Sequence, residues 1–177
     1  MSGRPAGAYA AAVHETEDDL RAVQDLLDRS HAGAGPHLRS IFTEERRIPA
    51  AELPALLPGV QVLALATVTA RGEPRVAPVD GLFFRGRFHF GSSDDSARFR
   101  HLRARPAVSA AHVRGEELAI VVHGHAREID LRKPEQAGLR AYLNETYPGW
   151  DEADWATDAP YAVIEATAMF TFRSGHA

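Results

Sequence analysis

The alternation of hydrophobic and polar positions changes period several times along the chain, and each change predicts an element. From Thr16, the stretch TEDDLRAVQDLLDRSH places Leu20, Val23, Leu26 and Leu27 on one helical stripe. Thr16 followed by Asp19 reads as an N-cap with acids in the first turn, and the helix is expected to end near His31, before AGAGP. The residues before it, small and poor in apolar side chains, are expected to be frayed. A second short helix is expected through PAAELPALL. At Val60 the period falls to two. VQVLALATVTA, PRVAPVDGLFF and RFHFGS read as a meander of short strands, with turns at ARGEP and Arg85-Gly86. Pro74 and Pro78 limit how the second of these strands can pair. PAVSAAHV and LAIVVHGHAREID form a further hairpin about RGEE, and KPEQAGLRAYLNETY returns to helical spacing with Leu139, Tyr142 and Leu143 on one face. YAVIEATAMFTFR closes the chain as two short strands or one bent one.

These elements predict an α+β fold, mainly β with flanking helices: five to seven short antiparallel strands, with one short helix inserted among them, in a small closed or partly closed barrel. Residues 1–59 are expected to be a helical extension packed on the barrel, and 60–177 the barrel itself, in one structural domain. The pattern lacks strand–helix–strand alternation, a glycine-rich dinucleotide fingerprint and a P-loop.

Composition narrows the classes. Without cysteine there are no disulfides or thiolate metal sites. No apolar run reaches membrane-spanning length and the N-terminal residues lack a signal-peptide core, so a cytoplasmic location is expected and no membrane partner. A net charge of −4 argues against a nucleic-acid partner. The charge is uneven, however: eight arginines face four acids between Arg71 and Arg105.

Four of those arginines fall in GSSDDSARFRHLRARP. Ser93 or Asp94 is placed to cap a helix running to about Ala104, with Phe99 and Leu102 toward the core. Arg98 then lies near the exposed amides of the helix start, where serine hydroxyls, N–H groups and a guanidinium suit a dianionic phosphate. Arg100, Arg103 and Arg105 lie on other faces. The same spacing also describes a capped surface helix with solvated arginines, and spacing does not choose between them.

The segment LATVTARGEPRVAPVDGLFFRGRFHFGSSDDSARFRHLRARPAVSAAHV, with VVHGHAREI after it, resembles the pyridoxamine 5'-phosphate oxidase-like, flavin-binding split-barrel superfamily. The resemblance covers about residues 60–130 and lies in the order and spacing of its motifs. It implies that the fold is a six- to seven-stranded antiparallel split β-barrel of Greek-key type, and that the protein is an FMN-dependent oxidoreductase that transfers hydride with a small organic substrate. It also implies a homodimer with the cofactor between subunits. By position, Arg98 matches the basic residue on the flavin phosphate, with Ser96 two before it. Gly91 and Ser92 match the turn touching the phosphate or ribityl chain. Arg75, Val76, Ala77, Pro78 and Val79 match the strand along the isoalloxazine ring, Arg75 also reaching the phosphate. A deazaflavin-dependent reductase, or a non-catalytic flavin- or haem-binding protein, are the alternatives.

The chain departs from the family at three places. Asp80 stands where pyridoxamine phosphate oxidases carry a basic residue, Ala97 replaces another, and AMFTFRSGHA lacks their C-terminal substrate signature. Oxidation of vitamin B6 is therefore not implied, and no catalytic acid or base is selected. His123 and His125 share a strand face at metal-compatible spacing, but packing or solvent roles are expected, with His112 too distant to join them and no metal site. Trp150 and Trp155 are expected to anchor their loop, the alternative being that they stack on a ring or line a substrate pocket from the partner subunit.

Overall fold

Six antiparallel strands of unequal length close into one barrel wall. They are β1 (Val60–Val68), β2 (Pro74–Phe84), β3 (Arg87–Gly91), β4 (Ala107–Arg114), β5 (Leu118–Ile129) and β6 (Tyr161–Arg173). Their order around the wall is β1-β2-β3-β6-β5-β4, with β1 and β4 paired to complete the closure. This computed structural model describes residues 14–153 and 158–175, so the N-terminal residues expected to be frayed lie outside the described residues. The antiparallel barrel with flanking helices is what the alternation predicts, and its split form is what the resemblance implies. Its terminal segment is one strand of 13 residues, whose register shifts against β5 between His123 and Gly124. Gly124 is required there, because a Cβ would stand 2.2 Å from the Glu165 carbonyl oxygen.

Period-two burial follows from closure. Leu63, Leu65 and Thr67 of β1 point into the barrel, as do Val108 and Ala110 of β4 and Ile120 and Val122 of β5. They join one core with Phe83, Phe88 and Phe90.

The split comes from strand length. β3 has 5 residues between neighbours of 11 and 13, so β2 and β6 each carry a stretch that β3 cannot reach. Unpaired backbone in a buried wall must find other partners. Along β6, α1 (Glu17–Ala32) supplies them: the Met169 N–H donates to Ser30 Oγ at 2.9 Å, and Ser30 in turn donates to the Leu26 carbonyl at 2.7 Å. Thr171 Oγ1 bonds both the N–H and the carbonyl of Ile48, each at 2.9 Å. The Thr16–Asp19 capping box forms as expected, and Arg85 in the β2–β3 turn clamps Asp19. Between α1 and β1 lie α2 (Pro36–Ile41), unforeseen because six residues carry too little periodicity, and α3 (Leu53–Leu56).

Along β2, the uncovered stretch is Pro74–Asp80. The chain must pass from β3 to β4 across the mouth of the barrel, and α4 (Ala97–Ala104) makes that crossing beside it. α5 (Ala137–Thr146) lies outside the wall, burying Leu139, Tyr142 and Leu143 with Leu82, Leu131 and Trp150 in a second, smaller core.

One core group titrates. His89 of β3 is buried, and desolvation lowers its pKa from 6.5 to about 4, despite a 3.2 Å contact from Nδ1 to the Arg87 carbonyl oxygen. The unfolded chain therefore takes up this proton near pH 6.5, well before the folded one. Stability attributable to His89 is complete above pH 6.5 and is lost as the pH falls toward 4, by about 1.4 kcal/mol per pH unit. Urea unfolding midpoints between pH 7 and 4.5 should show this slope. His89→Phe should flatten it.

Candidate functional site

The segment that crosses the barrel mouth is pinned from inside. Phe99 is completely buried, its ring 6.1 Å from that of Phe90, and Leu102 is buried beside it. From the β1 side, Thr67 Oγ1 lies 2.9 Å from His101 Nδ1. The start of the helix differs from expectation. Ser96, rather than Ser93 or Asp94, is the N-cap, its Oγ accepting the Phe99 N–H at 3.3 Å. The residues before it form a turn in which the Ser96 N–H donates to the Ser93 carbonyl at 3.1 Å. A cap at Ser96 leaves Ser92, Ser93, Asp94 and Asp95 to carry the chain away from the end of β3 before the helix seats Phe99 and Leu102 in the core.

That register aims Arg98 at the unpaired edge of β2. Its Nη1 donates to Ser92 Oγ at 3.2 Å and its Nη2 to the Pro78 carbonyl at 2.9 Å. Partial burial lowers its pKa from the ordinary value, and a guanidinium remains a cation despite this. Pro78 turns its carbonyl to the free edge, where Arg98 meets it, and has no N–H to place beside it. Strand alternation turns the N–H and carbonyl of Val76 to the same free edge. A guanidinium, a hydroxyl and free backbone groups thus meet in one groove.

The remaining expected site residues are placed differently. Arg75 is exposed, its Nη2 bonded to Glu73 at 2.8 Å and its Nη1 to the Pro74 carbonyl, and it makes no bond to Ser92 or Arg98. Val76, Ala77 and Pro78 are exposed, and Val79 is buried in the barrel. Gly91 lies under the Tyr161 ring, where a Cβ would come within 2.5 Å of Cε2. The other three arginines are occupied elsewhere. Arg103 bonds Glu128 at 2.7 Å and Asp94 at 2.6 Å, Arg100 donates to the Asp95 carbonyl, and Arg105 reaches the Ala70 carbonyl at 3.4 Å.

Beyond Ser92 the groove opens into a cavity of about 770 Å³, walled by Tyr147, Trp150 and Tyr161 with Asp80 at its edge. Burial raises both tyrosine pKa values, and the Asp80 charge adds to each shift. Sequence reasoning marked Trp150 as a loop anchor, with a pocket wall as the alternative, and Asp80 as a departure. It gave no signal that they share a cavity, since β6 and the segment after α5 must first close on β3. Trp155 lies outside the described residues.

The histidines do not converge. His112 pairs opposite Ile120, nearer His123 than expected, yet it is buried on the inner face with Nδ1 3.1 Å from the Val62 carbonyl oxygen. His123 is exposed on the outer face, 2.7 Å from Ser109 Oγ. Facing, rather than distance, separates them, and among the described residues no group of three metal-ligating side chains occurs.

A closed antiparallel barrel, split at a short third strand with Arg98 at the open edge, defines a split β-barrel. Residues 50–170 match the pyridoxamine 5'-phosphate oxidase family, and the chain belongs to that family, within the FMN-binding split-barrel superfamily. None of the curated proteins matches the chain. Solved structures share its fold. A conserved hypothetical protein from Mycobacterium tuberculosis is 18% identical with a TM-score of 0.54, over 64% of this chain and 77% of that one. A putative pyridoxamine 5'-phosphate oxidase from Listeria innocua is 16% identical with a TM-score of 0.53, over 64% and 90%. HutZ, the heme storage protein of Vibrio cholerae, is 17% identical with a TM-score of 0.50, over 64% and 82%.

Proposed function

We propose that this protein is an FMN-binding oxidoreductase that exchanges hydride with a small organic substrate. The observation that carries the reading is the position of Arg98, held between Ser92 Oγ and the Pro78 carbonyl at the unpaired edge of β2. Both partners are neutral, so the guanidinium keeps its charge for an anion, and a phosphate would meet Ser92 and the first amides of α4 beside it. Val76 offers backbone groups on the same edge to the ring of a flat cofactor. Ser96 contributes by holding α4 in register, its hydroxyl being taken up by the cap, and Arg75 reaches the phosphate only on leaving Glu73. Bound FMN would supply the redox chemistry, while the protein supplies position and exclusion of water.

The working form in this reading is a homodimer, with the cofactor at the interface. Support comes from the outer face of the wall. Pro78, Ala64, Ala111, Val121 and Phe170 form one uncharged row across five strands. Val62, Val76 and Val113 beside it are 59%, 67% and 57% exposed. Such a flat apolar face suits an isologous contact with a second copy of the chain, which would also enclose the groove next to Val76. A cytoplasmic location fits this reading, and no described helix is long and apolar enough to cross a membrane.

Mass spectrometry and absorption of the ligand that co-purifies test the cofactor. Flavin bands with released FMN support the reading. Affinity for a deazaflavin alone would replace it with a deazaflavin-dependent reductase, and a Soret band would replace it with a haem protein. Val76→Glu should shift the protein to monomer in sedimentation and weaken FMN binding together. A monomeric wild type would overturn the dimer.

A further inference from the structure

The cavity beyond Ser92 has a charge that the cofactor groove does not explain. Three carboxylates line it: Asp80, Asp94 and Asp158. Two have cationic partners, Asp94 bonding Arg103 at 2.6 Å and Asp158 standing 3.9 Å from Arg132. Asp80 has no ion pair among the described residues, though it is exposed on β2 two residues from the carbonyl that Arg98 holds. Arg98 directs its guanidinium to Ser92 Oγ and the Pro78 carbonyl and makes no ion pair with Asp80.

The walls have matching chemistry. Trp150 and Tyr161 meet nearly edge to face, with interplanar angle 86°, and Tyr147 completes an aromatic lining. Neither Tyr147 nor Tyr161 bonds its hydroxyl to a described residue, and both phenols are kept neutral by burial and by Asp80. Aromatic rings around one unpaired carboxylate attract an organic cation through both the ring quadrupole and direct charge, and repel a carboxylate or phosphate. The volume, about 770 Å³, admits a molecule with a ring of its own.

We infer that this cavity binds a ring-sized organic cation, an amine or quaternary ammonium, with its charge at Asp80 and its body against Tyr147, Trp150 and Tyr161. That this ligand is the substrate rests on the reading above; that it binds does not. Asp80 is the residue that selects for charge.

Calorimetric titration of the full chain with benzyltrimethylammonium, benzyl alcohol and benzoate tests this, each with and without FMN. The cation is expected to bind about ten-fold more tightly than either of the others. Asp80→Asn should remove that advantage, and Asp80→Lys should transfer it to benzoate. Unchanged melting temperatures would show that both variants fold, as expected for an exposed side chain. Benzoate binding as well as the cation, absence of saturable cation binding, or an Asp80→Asn variant that keeps the preference would each overturn the inference. FMN binding without cation binding sinks this inference alone. Cation binding that depends on Asp80 in a protein that never takes FMN sustains it while the cofactor reading fails.

Discussion

Phe99→Ala should destabilise the protein by about 3–5 kcal/mol, the range for deleting a fully buried phenyl group. Phe99 has no exposed surface and packs against Phe90 in the central core. It also holds α4 across the barrel mouth, and its N–H is the donor to the capping Ser96 hydroxyl. Removing the ring opens a cavity that the closed wall cannot collapse to fill. For a chain of this size the melting temperature should fall by roughly 6–20 °C. Urea denaturation checks the free energy directly. A loss under about 1 kcal/mol would mean that α4 is not seated as described. Because the same ring fixes the direction of Arg98, FMN affinity should fall in this variant even where the barrel remains folded.

Arg98→Ala should do the reverse. Its two hydrogen bonds join neutral acceptors at a partly exposed site, so stability should change by less than about 1 kcal/mol. Affinity for FMN should drop by about 1.5–3 kcal/mol, ten-fold to more than a hundred-fold, because a charge-assisted contact to a dianion is lost. Arg98→Lys should recover part of the loss, keeping the charge without the fork that spans Ser92 and Pro78. Raising the salt concentration should narrow the difference between wild type and Arg98→Ala. Unchanged FMN affinity in Arg98→Ala would remove the phosphate from this groove. Together the two variants separate the residue that holds the helix from the residue that the helix presents.

The difference between these positions was partly legible in the chain. Phe99 and Leu102, three apart, announced an inward face, and Arg98 was thereby set apart from Arg100, Arg103 and Arg105. The start of that helix was not legible, since Ser92, Ser93, Asp94, Asp95 and Ser96 are all residues that cap helices. Choosing Ser96 requires the length of loop needed to leave β3 and seat Phe99, which is a tertiary quantity. Arg75 shows the same limit. Its place in the strand was readable, but its bond to Glu73 depends on the turn that brings the two side chains together. The histidines gave the converse case: strand alternation put His123 and His125 on one face, while the register expected for His112 was off, and its burial on the inner face was not foreseen.

By itself, the sequence determined what depends on near neighbours: the capping box at Thr16, the period-two strands, the turns, and the ordered motifs that mark the family. Only the tertiary structure decided that β3 is too short for its neighbours, which leaves one gap that α1 covers and another that Arg98 of α4 reaches. It also placed Asp80, Tyr147, Trp150 and Tyr161 around one cavity. Asp80 lies far from the three aromatic residues along the chain, and only closure of a barrel, a matter of strand lengths and register, brings it to them.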